Sequence, residues 1–210
     1  MGALVLAAAV IGSGIMAERL SNGNLAVALL ANTGATVAAL AALIAMLGPV
    51  SGAHFNPVIS LVATIQGALR PLHAAGFIVV QVLGCCAGAV LANAMFELPL
   101  IAMSVHVRSG TAQWLSEAVA TAGLVLVAFT SPSIREAAWR VPAWIGAAYW
   151  FTASTSFANP AITIGRSLSD TFAGIRPADA PGFIVAQIIG GIAGAMLARV
   201  FVAPGSDGNV

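Results

Sequence analysis

Long apolar runs separated by short polar breaks dominate the chain. The runs cover residues 1–17, 24–47, 74–96, 113–131, 138–155 and 180–203. The breaks are Glu18 to Gly23, Glu97 to Thr111, Ser131 to Ala137 and Arg176 to Pro181. About twenty apolar residues are needed to cross a bilayer core. The later five runs therefore predict full spans, whereas the first is short and is expected to begin upstream of Met1. Two further stretches, 57–67 and 160–171, are about half as long, the length of segments that dip into a membrane without crossing it. Both open on the same signal, Asn56-Pro57-Val58 and Asn159-Pro160-Ala161. An Asn caps the orphan N–H groups of a helix start, and a Pro at the first helical position gives up an N–H that had no partner.

The two halves of the chain repeat. Gly76-Phe77-Ile78-Val79-Val80-Gln81 matches Gly182-Phe183-Ile184-Val185-Ala186-Gln187, and 11 of the 18 aligned positions from Gly76 and Gly182 onward are identical. Each half reads as helix, helix, half-helix, helix. Three crossings per half, an odd number, invert the second half relative to the first. Inverted repeats place a site at their interface near the midplane, built from broken helices. Gly84/Gly88 and Gly190/Gly194 have the spacing that lets membrane helices approach closely.

Composition agrees with a membrane location. The chain is 60% hydrophobic and 7% charged, with a mean hydropathy of +0.98, whereas a soluble domain carries about a quarter of its residues charged. The net charge of +1 points to neither nucleic acid nor an acidic substrate. The positive-inside rule leaves orientation open, because Arg70, Arg135, Arg140 and Arg199 fall on one side and Arg19, Arg108, Arg166 and Arg176 on the other. Adjacent Cys85 and Cys86 point about 100° apart on a helix and read as small packing residues; the alternative is a thiol pair gripping a soft metalloid.

Ser51-Gly52-Ala53-His54-Phe55-Asn56-Pro57, together with Asn159-Pro160-Ala161, resembles the aquaporin and aquaglyceroporin (major intrinsic protein) family. Gly12-Ser13-Gly14 and Glu117-x-x-x-Thr121 add to the likeness, which covers nearly the whole chain. It implies an all-α membrane protein with six transmembrane helices and two re-entrant half-helices in an inverted, aquaporin-like repeat. Residues 1–210 would form one channel domain, with halves 1–97 and 113–203. The expected assembly is a homotetramer in the lipid bilayer of a bacterial inner membrane, with no cofactor and no metal.

The family implies a pore. Each half-helix nose collects unpaired N–H groups and partial positive charge, so two noses meeting at mid-membrane repel cations, and the Asn56 and Asn159 amides can donate to a passing oxygen. A narrower filter of four positions is also implied. Counting from the Asn-Pro anchors places it at Thr36, Ala147 (Gly146 is the alternative), Ser156 and Ile162. Typical members carry Arg where this chain has Ile162, faced by one or two aromatic residues. Their absence predicts a wider, more apolar constriction, and Phe157 to Arg166 resembles a bacterial branch lacking the filter Arg and associated with arsenic handling.

Polar residues near the motifs complete the expectations. The resemblance implies that Glu117 accepts hydrogen bonds from the loop beside the second half-helix, and its counterpart in the first half would fall at or before Met1. His54 is expected to tie down the first loop. Arg166, one turn beyond Ile162, is expected to snorkel to the interface or pair with Asp170; the alternative is that it reaches back into the pore mouth. The leading function is a passive channel for small neutral solutes: glycerol-like polyols, undissociated arsenite or methylated arsenicals, with some water. A water-selective pore is the alternative. An ion-coupled transporter needs paired intramembrane charges, and an adhesion protein with a blocked pore gains support only from Val58, bulkier than the usual Ala. Nothing suggests an enzyme, since no nucleophile, base and orienting group recur together.

Overall fold

The computed structural model describes residues 1–201; the short polar tail from Gly205 to Val210 lies outside them. Among the described residues, six long helices and two half-helices make up the fold. The first half contains α1 (Gly2–Leu20), α2 (Leu25–Ser51), half-helix α3 (Pro57–Ile65) and α4 (Pro71–Met95). The second contains α5 (Thr111–Thr130), α6 (Ile134–Phe151), half-helix α7 (Pro160–Arg166) and α8 (Ala180–Phe201). Five of the long helices have the length and composition of membrane spans. The exception, α6, has 18 residues and carries Arg135, Glu136 and Arg140 in its first two turns, where Glu136 and Arg140 pair at 3.0 Å.

Local chemistry sets the helix ends. Asn24 Oδ1 accepts from the N–H groups of Ala26 and Val27 to start α2, and Ser133 Oγ caps α6 by accepting from Glu136 N–H. α2 ends on Gly52 in the left-handed region (φ 71°), the usual helix-stopping conformation. The first apolar run is longer than its hydropathy indicates, because Glu18 and Arg19 stay helical: the Arg19 guanidinium donates to Phe96 O (2.9 Å) and lies over the Phe96 ring. The second half-helix is shorter than expected, ending at Arg166 and not at 171. Beyond it the carbonyls of Ser167 and Leu168 accept from Ser104 N–H and Ala102 N–H of the long inter-half loop (both 3.0 Å), so that loop takes up acceptors a longer helix would use.

The inverted repeat is visible in the packing. α1 packs along α4 as α5 packs along α8, and the glycine rows make the closest approaches. A Cβ on Gly88 would run into Leu4 O, and one on Gly190 or Gly194 into Ala118 O or Ala122 O. Gly12-Ser13-Gly14 lies at another helix contact, where Asn32 of α2 donates to Val10 O (2.8 Å) and Ser13 Oγ (2.9 Å).

Val58 belongs to this packing and not to a blocked pore. Its side chain is buried with Val62, Val125 and Ala195 and occupies the space that a Cβ on Gly191 would need. Gly194→Val should force α5 and α8 apart at a cost of about 1–3 kcal/mol. The expected readout is a lower unfolding temperature in detergent; melting at the parent temperature would contradict the close approach.

Candidate functional site

The two Asn-Pro motifs meet at the centre of the molecule. Asn56 and Asn159 sit in the extended conformation typical of a helix N-cap. Asn56 Oδ1 accepts from Val58 N–H (3.0 Å), and Asn159 Oδ1 accepts from Ala161 N–H (3.0 Å) and Ile162 N–H (3.3 Å). The amide nitrogens then cross between the halves. Asn56 Nδ2 donates to Ala158 O (2.7 Å), and Asn159 Nδ2 donates to Phe55 O (2.9 Å). Each Nδ2 has two hydrogens, so one remains on each side chain, and both residues line a cavity of about 210 Å³.

Non-helical backbone is tolerated at membrane depth only where it is buried in protein or lines such a cavity. Residues 52–56 and 156–159 both do the latter. The second loop holds Thr155, Ser156 and Ala158 at positive φ (60°, 50° and 48°), a strain of about 1–3 kcal/mol per residue. Glu117 offsets it. Its buried carboxylate accepts from Phe157 N–H (2.9 Å), Ala158 N–H (2.8 Å) and Gln187 Nε2 (2.6 Å). Gln187 also donates to Thr163 Oγ1 (3.0 Å). At the matching place in the first half, Gln81 Nε2 donates to Ser60 Oγ (3.0 Å) and to His54 O. The His54 ring, which also lines the cavity, stands 3.4 Å from Ser60 Oγ and 5.5 Å from the Phe77 ring centre. Gln81 and Gln187 hold matching positions of the repeat, and an identical polar residue inside two apolar spans is the sequence signal for these supports.

Three of the four expected filter positions line the cavity: Thr36, Ser156 and Ile162. The fourth does not. Ala147 lies on the exposed face of α6, and Gly146 packs towards Val37 and Thr33 of α2. The cavity-lining residues of α6 are spaced by four (Val141, Ile145, Tyr149), and a position two residues away turns to the far side of the helix. Tyr149 therefore takes the place expected for Ala147, with its hydroxyl 3.5 Å from Thr36 Oγ1. It supplies an aromatic group that the sequence count had denied.

Arg166 departs further from expectation. It neither snorkels nor pairs with Asp170, whose Oδ1 accepts instead from Val105 N–H (3.0 Å). Arg166 is 2% exposed and lines the same cavity as Ile162. Its guanidinium carbon stands 3.4 Å from the centre of the Phe157 ring, and Nε donates to Ala173 O. Arg166 and Tyr149 thus line the same cavity as Ile162, whose wall is not wholly apolar. Nearby, buried Arg108 donates through Nε to Gly174 O (2.8 Å) and through Nη2 to Phe172 O (3.2 Å). In the same loop, His106 is held below the ordinary imidazole range, first by burial and then by the Arg108 charge.

Comparison with known proteins agrees with this geometry. Residues 1–153 match the Major intrinsic protein family. The chain belongs to that family. Its members are membrane channels and not enzymes. The chain is 50% identical to Aquaglyceroporin AqpS of Rhizobium meliloti (strain 1021) over 206 residues, covering 97% of this chain and 88% of that one. It is also 31% identical to Aquaporin-5 of Ovis aries over 129 residues, 59% of this chain and 42% of that one. Among solved structures, the aquaglyceroporin from Plasmodium falciparum superposes with a TM-score of 0.71 at 17% identity, covering 96% of this chain and 93% of that one, which establishes the shared fold.

Within this major intrinsic protein fold, Glu117 is the hub of the second loop. Glu117→Ala strands two buried backbone N–H groups and the Gln187 amide, at about 1–3 kcal/mol each. The expected result is a large fall in unfolding temperature, with Glu117→Gln intermediate because its carbonyl still accepts. Equal melting of all three proteins would contradict the assignment.

Proposed function

We propose that this chain is a passive transmembrane channel for small neutral solutes: glycerol-like polyols, undissociated arsenite or methylated arsenicals, with some water. The observation that carries this reading is the pair of capped half-helix noses on one cavity, each Asn keeping one free N–H towards it. A solute oxygen exchanges water for these donors, while positive helix ends repel cations, hydronium included. Ile162 offers an apolar wall at the mouth, opposite in character to the phenol and guanidinium beside it. Such an amphipathic passage fits a molecule with carbon on one face and hydroxyls on the other.

A water-selective pore is the second reading, favoured by the intrusion of Tyr149 and Arg166. Ion coupling finds less support, since the two Glu117 oxygens are committed to the loop and to Gln187. We further propose a homotetramer in a bacterial inner membrane, one pore per subunit. The exposed face of α2 carries Ala31, Gly34, Ala35 and Ala38, the small residues that suit close helix contact in lipid.

Proteoliposomes decide among these readings. Glycerol or arsenite should equilibrate down its gradient with no ion present, whereas uptake that collapses when a proton or sodium gradient is removed indicates a transporter, and water flux without glycerol flux indicates the water-selective pore. Ile162→Arg should reduce glycerol flux about tenfold and water flux much less. Equal loss of both would remove Ile162 from the constriction.

A further inference from the structure

Position 162 lacks the cation that the second motif usually carries, yet the cavity beside it is not without one. The geometry points to Arg166 as the specificity-determining guanidinium of this pore, reaching the mouth from one helical turn beyond the motif and positioned there by Arg108. This rests on the channel reading above and adds the residue that filters cations.

Several observations converge on Arg166. The residue ends α7, is buried, and lines the cavity with Ile162, Ser156, Tyr149 and Thr36. Of its five N–H donors, the protein engages only Nε, through Ala173 O. Nη1 lies buried without a protein partner, and so does Ser156 Oγ in the same lining. Buried polar groups are seldom left unmade, so these two orphans leave hydrogen-bonding capacity unspent within the cavity wall. Among the described residues, no carboxylate forms an ion pair with Arg166 or with the Arg108 guanidinium. Glu117, bound to the backbone of Phe157, is the nearby carboxylate, and it touches neither guanidinium, so the Arg166 charge acts on other ions in a low-dielectric passage.

Arg108 reaches this arrangement from the inter-half loop. Its two bonds to Phe172 O and Gly174 O grip the residues on either side of Ala173, whose carbonyl holds Arg166. Both guanidinium groups also face the Phe157 ring, with carbon-to-centre distances of 3.4 Å for Arg166 and 5.2 Å for Arg108. Arg108 is a positioning residue, because it fixes the acceptor and the ring that aim Arg166.

The test compares proton leak with water flux in proteoliposomes carrying the full chain. Arg166→Gln keeps an N–H donor for Ala173 O and removes the charge. It should raise the ratio of proton leak to water flux about tenfold or more. Arg166→Lys should remain tight, and Ile162→Arg combined with Arg166→Gln should restore tightness by returning the cation to the neighbouring register. Arg108→Met should raise the ratio of proton leak to water flux in part, a shift that a general loss of folded protein would not produce. An Arg166→Gln pore as proton-tight as the parent overturns the proposal, as does a double variant that leaks like the single one. Water flux reports the open pore independently of glycerol, so a parent that passes water and not glycerol defeats the polyol reading and leaves this comparison intact.

Discussion

Two reciprocal hydrogen bonds, from Asn56 to Ala158 O and from Asn159 to Phe55 O, hold the molecule to its geometry. Each asparagine is used twice, its oxygen closing its own helix start and its nitrogen gripping the loop of the other half. Neither bond can form unless both half-helices arrive nose to nose, with both loops unwound to the same depth. The buried supports serve that meeting. Glu117 and Gln187 hold the second loop, Gln81 holds the first, and the glycine rows seat α4 against α1 and α8 against α5. A bond of this kind is worth only about 1 kcal/mol net, but leaving its partners bare in a membrane interior costs more, so the pair discriminates strongly against any other register.

Much of this was legible in the chain. Run lengths gave four of the five candidate spans but underrated α1 and overrated α6; the doubled Asn-Pro signal gave the half-helices, and an odd number of crossings per half gave the inversion. The place of Glu117 beside the second loop was an expectation of the family resemblance, and its carboxylate accepts there from Phe157 and Ala158 N–H. What escaped was rotational phase. Ala147 and Tyr149 differ by two positions on one helix, and counting from a distant anchor does not fix which of them turns inward. The four-residue spacing of Val141, Ile145 and Tyr149 does fix it, once α6 is known to begin at Ile134.

Arg166 was misjudged for a different reason. A cation near the end of a membrane helix ordinarily escapes to water, and Asp170 stood close by in sequence. The loop from the other half changed the balance. It ends the helix at Arg166 by taking the next acceptors, and its Arg108 grips the carbonyls around Ala173. Those contacts join residues more than sixty positions apart, beyond the reach of any local pattern. The expectation failed where tertiary structure offered the side chain an aromatic face and a carbonyl in place of solvent.

The fit of Val58 into the gap at Gly191 has a counterpart that alters how the repeat can be understood. The equivalents of Val58 and Gly191 in the other half are Ala161 and Cys85, which share one core cluster, and α7 packs on α4 as α3 packs on α8. Large meets small across one junction and small meets larger across the other. A duplicated first half would drive valine against cysteine, and a duplicated second half would leave alanine facing an empty glycine. The two junctions are therefore not interchangeable: the bulk that fits one would overfill or underfill the other.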